Sequence, residues 1–180
     1  MKNKLGTKLA ALILLTFFIS GCTEQETTAP TVENLLLNTS FEKNGRFTSD
    51  GWSLPAQSDS SVDVPPNGGS YSLELEASQP PESYAQITVP VNTQFSNYKL
   101  TFWSKYSVIE GKAVLSLIRN GSAIKSLSIL VEDIVWKSYS IQDTFNVASG
   151  DSFMVQLTGG SSQLLTGKTY FDLCQLQGIN

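Results

Sequence analysis

Tyr98-Lys99-Leu100-Thr101-Phe102-Trp103-Ser104-Lys105 decides the fold. Apolar and polar side chains alternate along it, with Leu100 and Phe102 on one face and Lys99, Thr101, Trp103 and Lys105 on the other. That period of two belongs to a strand with one buried face. The pattern recurs in both directions from this segment. Tyr71 to Ala77 turns Tyr71, Leu73, Leu75 and Ala77 inward, and Tyr84 to Val89 turns Ala85, Ile87 and Val89 inward. Ala113–Ile118 and Ala123–Val131 flank Asn120-Gly121, a pair that favours a two-residue hairpin turn. Further strands are expected over Trp136–Ile141, Ser152–Leu157 and Lys168–Leu176, separated by Gly/Pro/Ser/Asn clusters such as Pro65-Pro66-Asn67-Gly68-Gly69. Many short strands at regular spacing predict an all-β chain, an antiparallel β-sandwich.

The amino-terminal end has a different character. Lys2, Lys4 and Lys8 precede an apolar run from Leu9 to Ile19, shorter than the roughly 20 residues a spanning helix needs. Ile19-Ser20-Gly21-Cys22 then resembles the lipobox of bacterial lipoproteins. The resemblance implies cleavage after residue 21, a lipid on the Cys22 sulfur and acylation of the new amino terminus. Several acyl chains anchor durably. Residues 22–33 are polar and read as a flexible tether, leaving 34–180 as the folded domain. Thr23 is not the aspartate that retains many lipoproteins at the inner membrane. The resemblance therefore implies the outer membrane in a two-membrane host and the outer face of the cell membrane in a single-membrane one.

Composition closes several functional classes. Residues 1–21 carry three lysines and no acid, so their removal takes the formal charge from −4 to −7. Such a chain lacks the basic field that drives binding to nucleic acid. With Cys22 lipidated, Cys174 is left alone and no internal disulfide can form; a small buried thiol is its expected role. The sequence contains no histidine. Ser-His-Asp and Cys-His catalysis and histidine-based zinc or copper sites are thereby excluded. What remains is oxygen-bound hard cations, chiefly calcium, and paired-carboxylate chemistry of the glycosidase kind.

The order of motifs along 34–176 resembles the CenC-type carbohydrate-binding modules, members of the galactose-binding-like jelly rolls. Asn34-Leu35-Leu36-Leu37-Asn38-Thr39-Ser40-Phe41-Glu42 with Gly51-Trp52 is similar to their opening, and Gly69 to Leu75 to their next strand. Tyr98 to Lys105 follows their Y-x-L-x-F-W-x-K pattern, Trp136-Lys137-Ser138-Tyr139 their W-x-x-Y, and Tyr170 to Leu176 their closing F-D-x-V-x-L. The resemblance implies non-catalytic binding of β-glucan, xylan or a related polysaccharide. It places Trp52 and Trp136 at framework positions of the core. It also implies a structural calcium held by Glu42, Asp172 and carbonyls of the Gly68-Gly69-Ser70 loop. The family's closing strand often carries two adjacent acids, whereas Leu173 follows Asp172 here.

Sugar recognition needs aromatic faces for C–H stacking and planar polar groups for hydroxyls. Trp103 is the foremost candidate because it stands on the polar side of its strand, the alternative being a small cluster packed under a loop. Gln86 and Gln156 share outward parity, and Arg119 and Tyr84 are candidates to complete a cleft. The expected function is that of a lipid-anchored polysaccharide-binding protein, not an enzyme. A structural or adhesive module contacting protein or cell wall is the second reading. A small glycosidase or lyase is the third; its candidate acids, Glu74, Glu76, Glu132 and Asp133, read more simply as solubilising.

Overall fold

The computed structural model describes residues 33–163 and 166–179. The lipobox, Cys22 and most of the tether lie outside these residues. Among the described residues, eleven strands run in chain order: β1 (Glu42–Lys43), β2 (Arg46–Phe47), β3 (Ser58–Ser61), β4 (Ser72–Glu76), β5 (Ala85–Pro90), β6 (Asn97–Tyr106), β7 (Lys112–Arg119), β8 (Ser122–Leu130), β9 (Lys137–Thr144), β10 (Ser152–Thr158) and β11 (Lys168–Ile179). All pairings between strands are antiparallel. A four-stranded sheet has the order β5-β10-β7-β8 and a five-stranded sheet the order β3-β4-β11-β6-β9; β1 and β2 form a small separate hairpin. The expected all-β sandwich is the observed architecture.

Alternation explains how the two large sheets meet. Leu100 and Phe102 of β6, Leu73 and Leu75 of β4 and Phe171 of β11 are buried on the inner face of one sheet. Ala85, Ile87, Leu115, Leu117, Phe153 and Val155 are buried on the inner face of the other. Aromatic rings fill the space between them: Tyr98 packs on Phe153 at 4.5 Å between centroids, and Phe102 stacks on Tyr139 at 5.6 Å. Trp52 is buried as expected, with its indole N–H donating to the Asn38 carbonyl at 3.1 Å. Asn120 and Gly121 form the β7–β8 turn with φ of 51° and 77°, the left-handed pair that a tight hairpin requires.

β11 carries the irregularity that matters most. Its pairing with β6 slips one residue between Asp172 and Gln175, which is a β-bulge. Phe171 and Cys174, three residues apart, are consequently both buried, and Leu173 takes a φ of 49°. Cys174 is the core thiol that the sequence suggests. At the far end of β11, Asn34 bridges Gln177 and the Leu35 N–H donates to the Leu176 carbonyl. The entering chain therefore lies against the strand that ends the domain.

Candidate functional site

Two surfaces carry the residues singled out from sequence, and they belong to different sheets. The outer face of the four-stranded sheet is a rank-and-file array fixed by strand register. Gln86, Gln156, Val114 and Ser128 form one row across β5, β10, β7 and β8; Thr88, Met154, Ser116 and Ser126 form the next. Strands lie about 4.8 Å apart, so each row spans roughly 14 Å. The β10, β7 and β8 members of these rows line a shallow groove of about 300 Å³, closed at one end by Tyr84 and Lys112, with Gln86 and Thr88 beside it on β5. Gln156 Nε2 donates to Gln86 Oε1 at 3.4 Å, and the hydroxyls of Ser116 and Ser126 meet at 2.8 Å.

Tyr84 is held in place by charge. Its hydroxyl donates to Glu82, which also pairs with Lys112 at 2.5 Å, and the Lys112 ammonium stands 5.9 Å from the ring centroid. Partial burial raises the Glu82 carboxyl, but the bonds from Lys112 and Tyr84 outweigh it and the net direction is down. The bond to Glu82 raises Lys112 in turn. Both groups are thus charged at neutral pH. Neither Glu82 nor Lys112 stands out in the sequence. They are thirty residues apart, and the one available signal was that Lys112 shares outward parity with Val114 and Ser116.

Arg119 does not complete this groove. Its guanidinium makes a two-pronged pair with the buried Asp151, at 2.9 and 2.7 Å, and donates to the Asn146 carbonyl. That geometry locks the β7 and β10 ends together. Trp103 also departs from the expected grouping. It lies on β6 opposite Asp172 and Ser138, on the outward side of the five-stranded sheet and partly covered. The two sheets of the sandwich separate it from Gln86 and Gln156.

Trp136 is a second correction, because it is not a core residue. It is half-buried, edge-on to Tyr170 at 6.3 Å, and its indole N–H donates to Asp63 at 2.8 Å. Lys105 sits over both rings, at 5.5 and 5.1 Å, and also binds Asp63. The lysine occupies the ring faces a sugar would need. The acids considered for catalysis are dispersed: Glu74 and Glu76 both approach Lys168, at 2.6 and 3.9 Å, while Asp133 binds Lys137 and Tyr139. Glu132 is exposed.

Glu42, Asp172 and the loop before β4 do come together. Ser70 N–H donates to Glu42 Oε1 at 2.8 Å. A Cβ on Gly69 would lie 1.7 Å from Glu42 Oε2, and one on Gly68 would lie 2.4 Å from Asp172 Oδ2, so only glycine lets this backbone close on both carboxylates. Gly69 also has a φ of 77°, which glycine adopts without cost. Asp172 Oδ1 accepts from Leu173 N–H at 2.7 Å, but Oδ2 is buried without a hydrogen-bond partner. Burial, opposed by the Leu173 bond and reinforced by Glu42, pushes the carboxyl up to about 7. An orphaned carboxylate oxygen beside a second acid is the kind of oxygen donor that suits calcium.

No known family profile matches the sequence, and no curated protein does. Solved structures match the fold. TmCBM61, solved with β-1,4-galactotriose, is 19% identical with a TM-score of 0.55, covering 82% of this chain and 99% of its own. The CBM22-1 xylan-binding domain of Xyn10C from Paenibacillus barcinonensis is 16% identical with a TM-score of 0.56, covering 84% and 98%. An arabinose-bound α-L-arabinofuranosidase also matches, 16% identical with a TM-score of 0.56 over 81% of this chain, and this chain spans only 26% of that one. The chain thus has the β-sandwich of carbohydrate-binding modules. The two modules matched over nearly their whole length are binding domains, and the enzyme contributes only a part.

Proposed function

We propose that this is a non-catalytic module that lays a polysaccharide across the outer face of its four-stranded sheet. The observation carrying the reading is the groove itself, where one ring, two paired amides and a set of hydroxyls line a sheet face on a fold shared with sugar-binding modules. The Tyr84 ring would stack on a pyranose C–H face, and the Gln86 and Gln156 amides would bridge vicinal hydroxyls. A galactan, xylan or β-glucan chain is the ligand class this suits. Glu82 is the single carboxylate at the groove, so the acid pair that glycoside hydrolysis needs is lacking among the described residues there.

Affinity electrophoresis against those polymers tests it. Tyr84→Ala and Gln156→Ala should each weaken retardation, by roughly tenfold for the ring, whereas Trp103→Ala should leave it unchanged. A blank panel for the wild type, or loss confined to Trp103→Ala, would overturn the assignment. The sparseness of rings in the groove favours one second reading, adhesion to cell wall or protein, which insoluble wall preparations in the same assay would detect. Lipidation at Cys22 supplies the membrane attachment in this proposal, and many anchored copies would turn weak single-site binding into avidity. Calcium would be held by Glu42, Asp172 and the Gly68–Ser70 loop, neutralising the two acids and fixing the first and last strands together.

A further inference from the structure

The chain is acidic, at −4 overall, yet the groove is not. Tyr84, Val114, Ser116, Ser126, Ser128, Met154 and Gln156 are all uncharged, and among the described residues Lys112 is the only charged side chain in the lining. Glu82 cancels it from 2.5 Å, and the two side chains are only 28% and 23% exposed. Partly sheltered charges at that distance interact far more strongly than they would in open water. A carboxylate on an incoming sugar would therefore meet Glu82 as well as Lys112, and would gain little from the ammonium. Neutral sugars incur no such conflict, and their hydroxyls have the serines and glutamines to meet.

We propose that Glu82 is a specificity-determining residue that masks Lys112 and restricts the groove to uncharged polysaccharides, excluding uronate-bearing ones. This rests on the groove being the glycan site. The same pair orients Tyr84, because Glu82 takes the phenol hydrogen while Lys112 stands over the ring. Glutamine at position 82 would keep an oxygen for that phenol and remove only the charge, which separates masking from positioning.

The test is affinity electrophoresis at low salt with matched polymers: arabinoxylan against glucuronoxylan, and β-1,4-galactan against polygalacturonate. Wild type should be retarded by the neutral member of a pair and pass the acidic one. Glu82→Gln should gain about fivefold or more on the acidic polymer relative to its own binding of the neutral one, and lose that gain near 0.5 M salt. Glu82→Gln with Lys112→Met should return to the wild-type pattern. Asp59→Asn, which makes the same charge change on the other sheet, should show no gain. Equal wild-type binding to both members, or equal gains in Glu82→Gln and Asp59→Asn, would overturn the masking role and leave the groove standing. A wild type that binds none of the four polymers would overturn the groove assignment and this role with it.

Discussion

Raising the pH of the calcium-free protein should make it easier to melt, and the effect is traceable to one side chain. Asp172 has its carboxyl moved from 3.8 to about 7, first by burial and further by Glu42, with only the Leu173 bond opposing. Between those values the folded protein keeps a proton that the unfolded chain has already released. Stability is therefore full below about pH 4 and is lost as the pH rises through 7. At 1.36 kcal/mol per pH unit the loss reaches about 4 kcal/mol. For a domain of this size that corresponds to a Tm lower by roughly 8–16 °C. No histidine exists to confuse the window. The acids lowered by partners, such as Asp63, Asp133 and Asp143, titrate below it. Differential scanning calorimetry from pH 4 to 8, in chelator and in millimolar calcium, reads the result. Tm should fall across the range in chelator and hold steady in calcium, and Asp172→Asn should be flat in both. A wild-type profile that is level in chelator, or a slope that survives in Asp172→Asn, would refute the reasoning.

Other consequences can be checked with single variants. Gly69→Ala would force Glu42 aside as well as strain a positive φ. It should abolish any calcium-dependent rise in Tm, which a melt with and without chelator measures. Trp52→Phe removes a buried indole bond to Asn38 and should cost about 1–3 kcal/mol in urea unfolding. Asp151→Ala strips Arg119 of its two-pronged partner and the Ala148 N–H of its acceptor. A loss of about 2–3 kcal/mol is expected by the same method, with polysaccharide binding unchanged.

Local alternation made most strands readable, because burial on one face leaves its mark on every second residue. The β7–β8 hairpin followed directly from Asn120-Gly121, and β6 from its apolar row. β3 escaped because Ser58-Asp59-Ser60-Ser61 has no apolar residue and gains its order by pairing with β4. The candidate site is legible only in part. Parity distinguishes inward from outward, but not one outer face from the other. Trp103 and Gln156 therefore read alike, although they stand on opposite layers. Their separation depends on β11 inserting between β4 and β6, a long-range pairing no local pattern records. Trp136 was misplaced by resemblance, although counting back from the buried Ile141 would have turned it outward.

The bridge between Asn34 and Gln177 has a mechanical meaning. In the proposed arrangement, a pull on the segment before Asn34 would enter β11, at the middle of one layer, while a polymer in the groove would pull on the other. Holding on and being held would then fall to different sheets, and strain on the leash need not distort the grip.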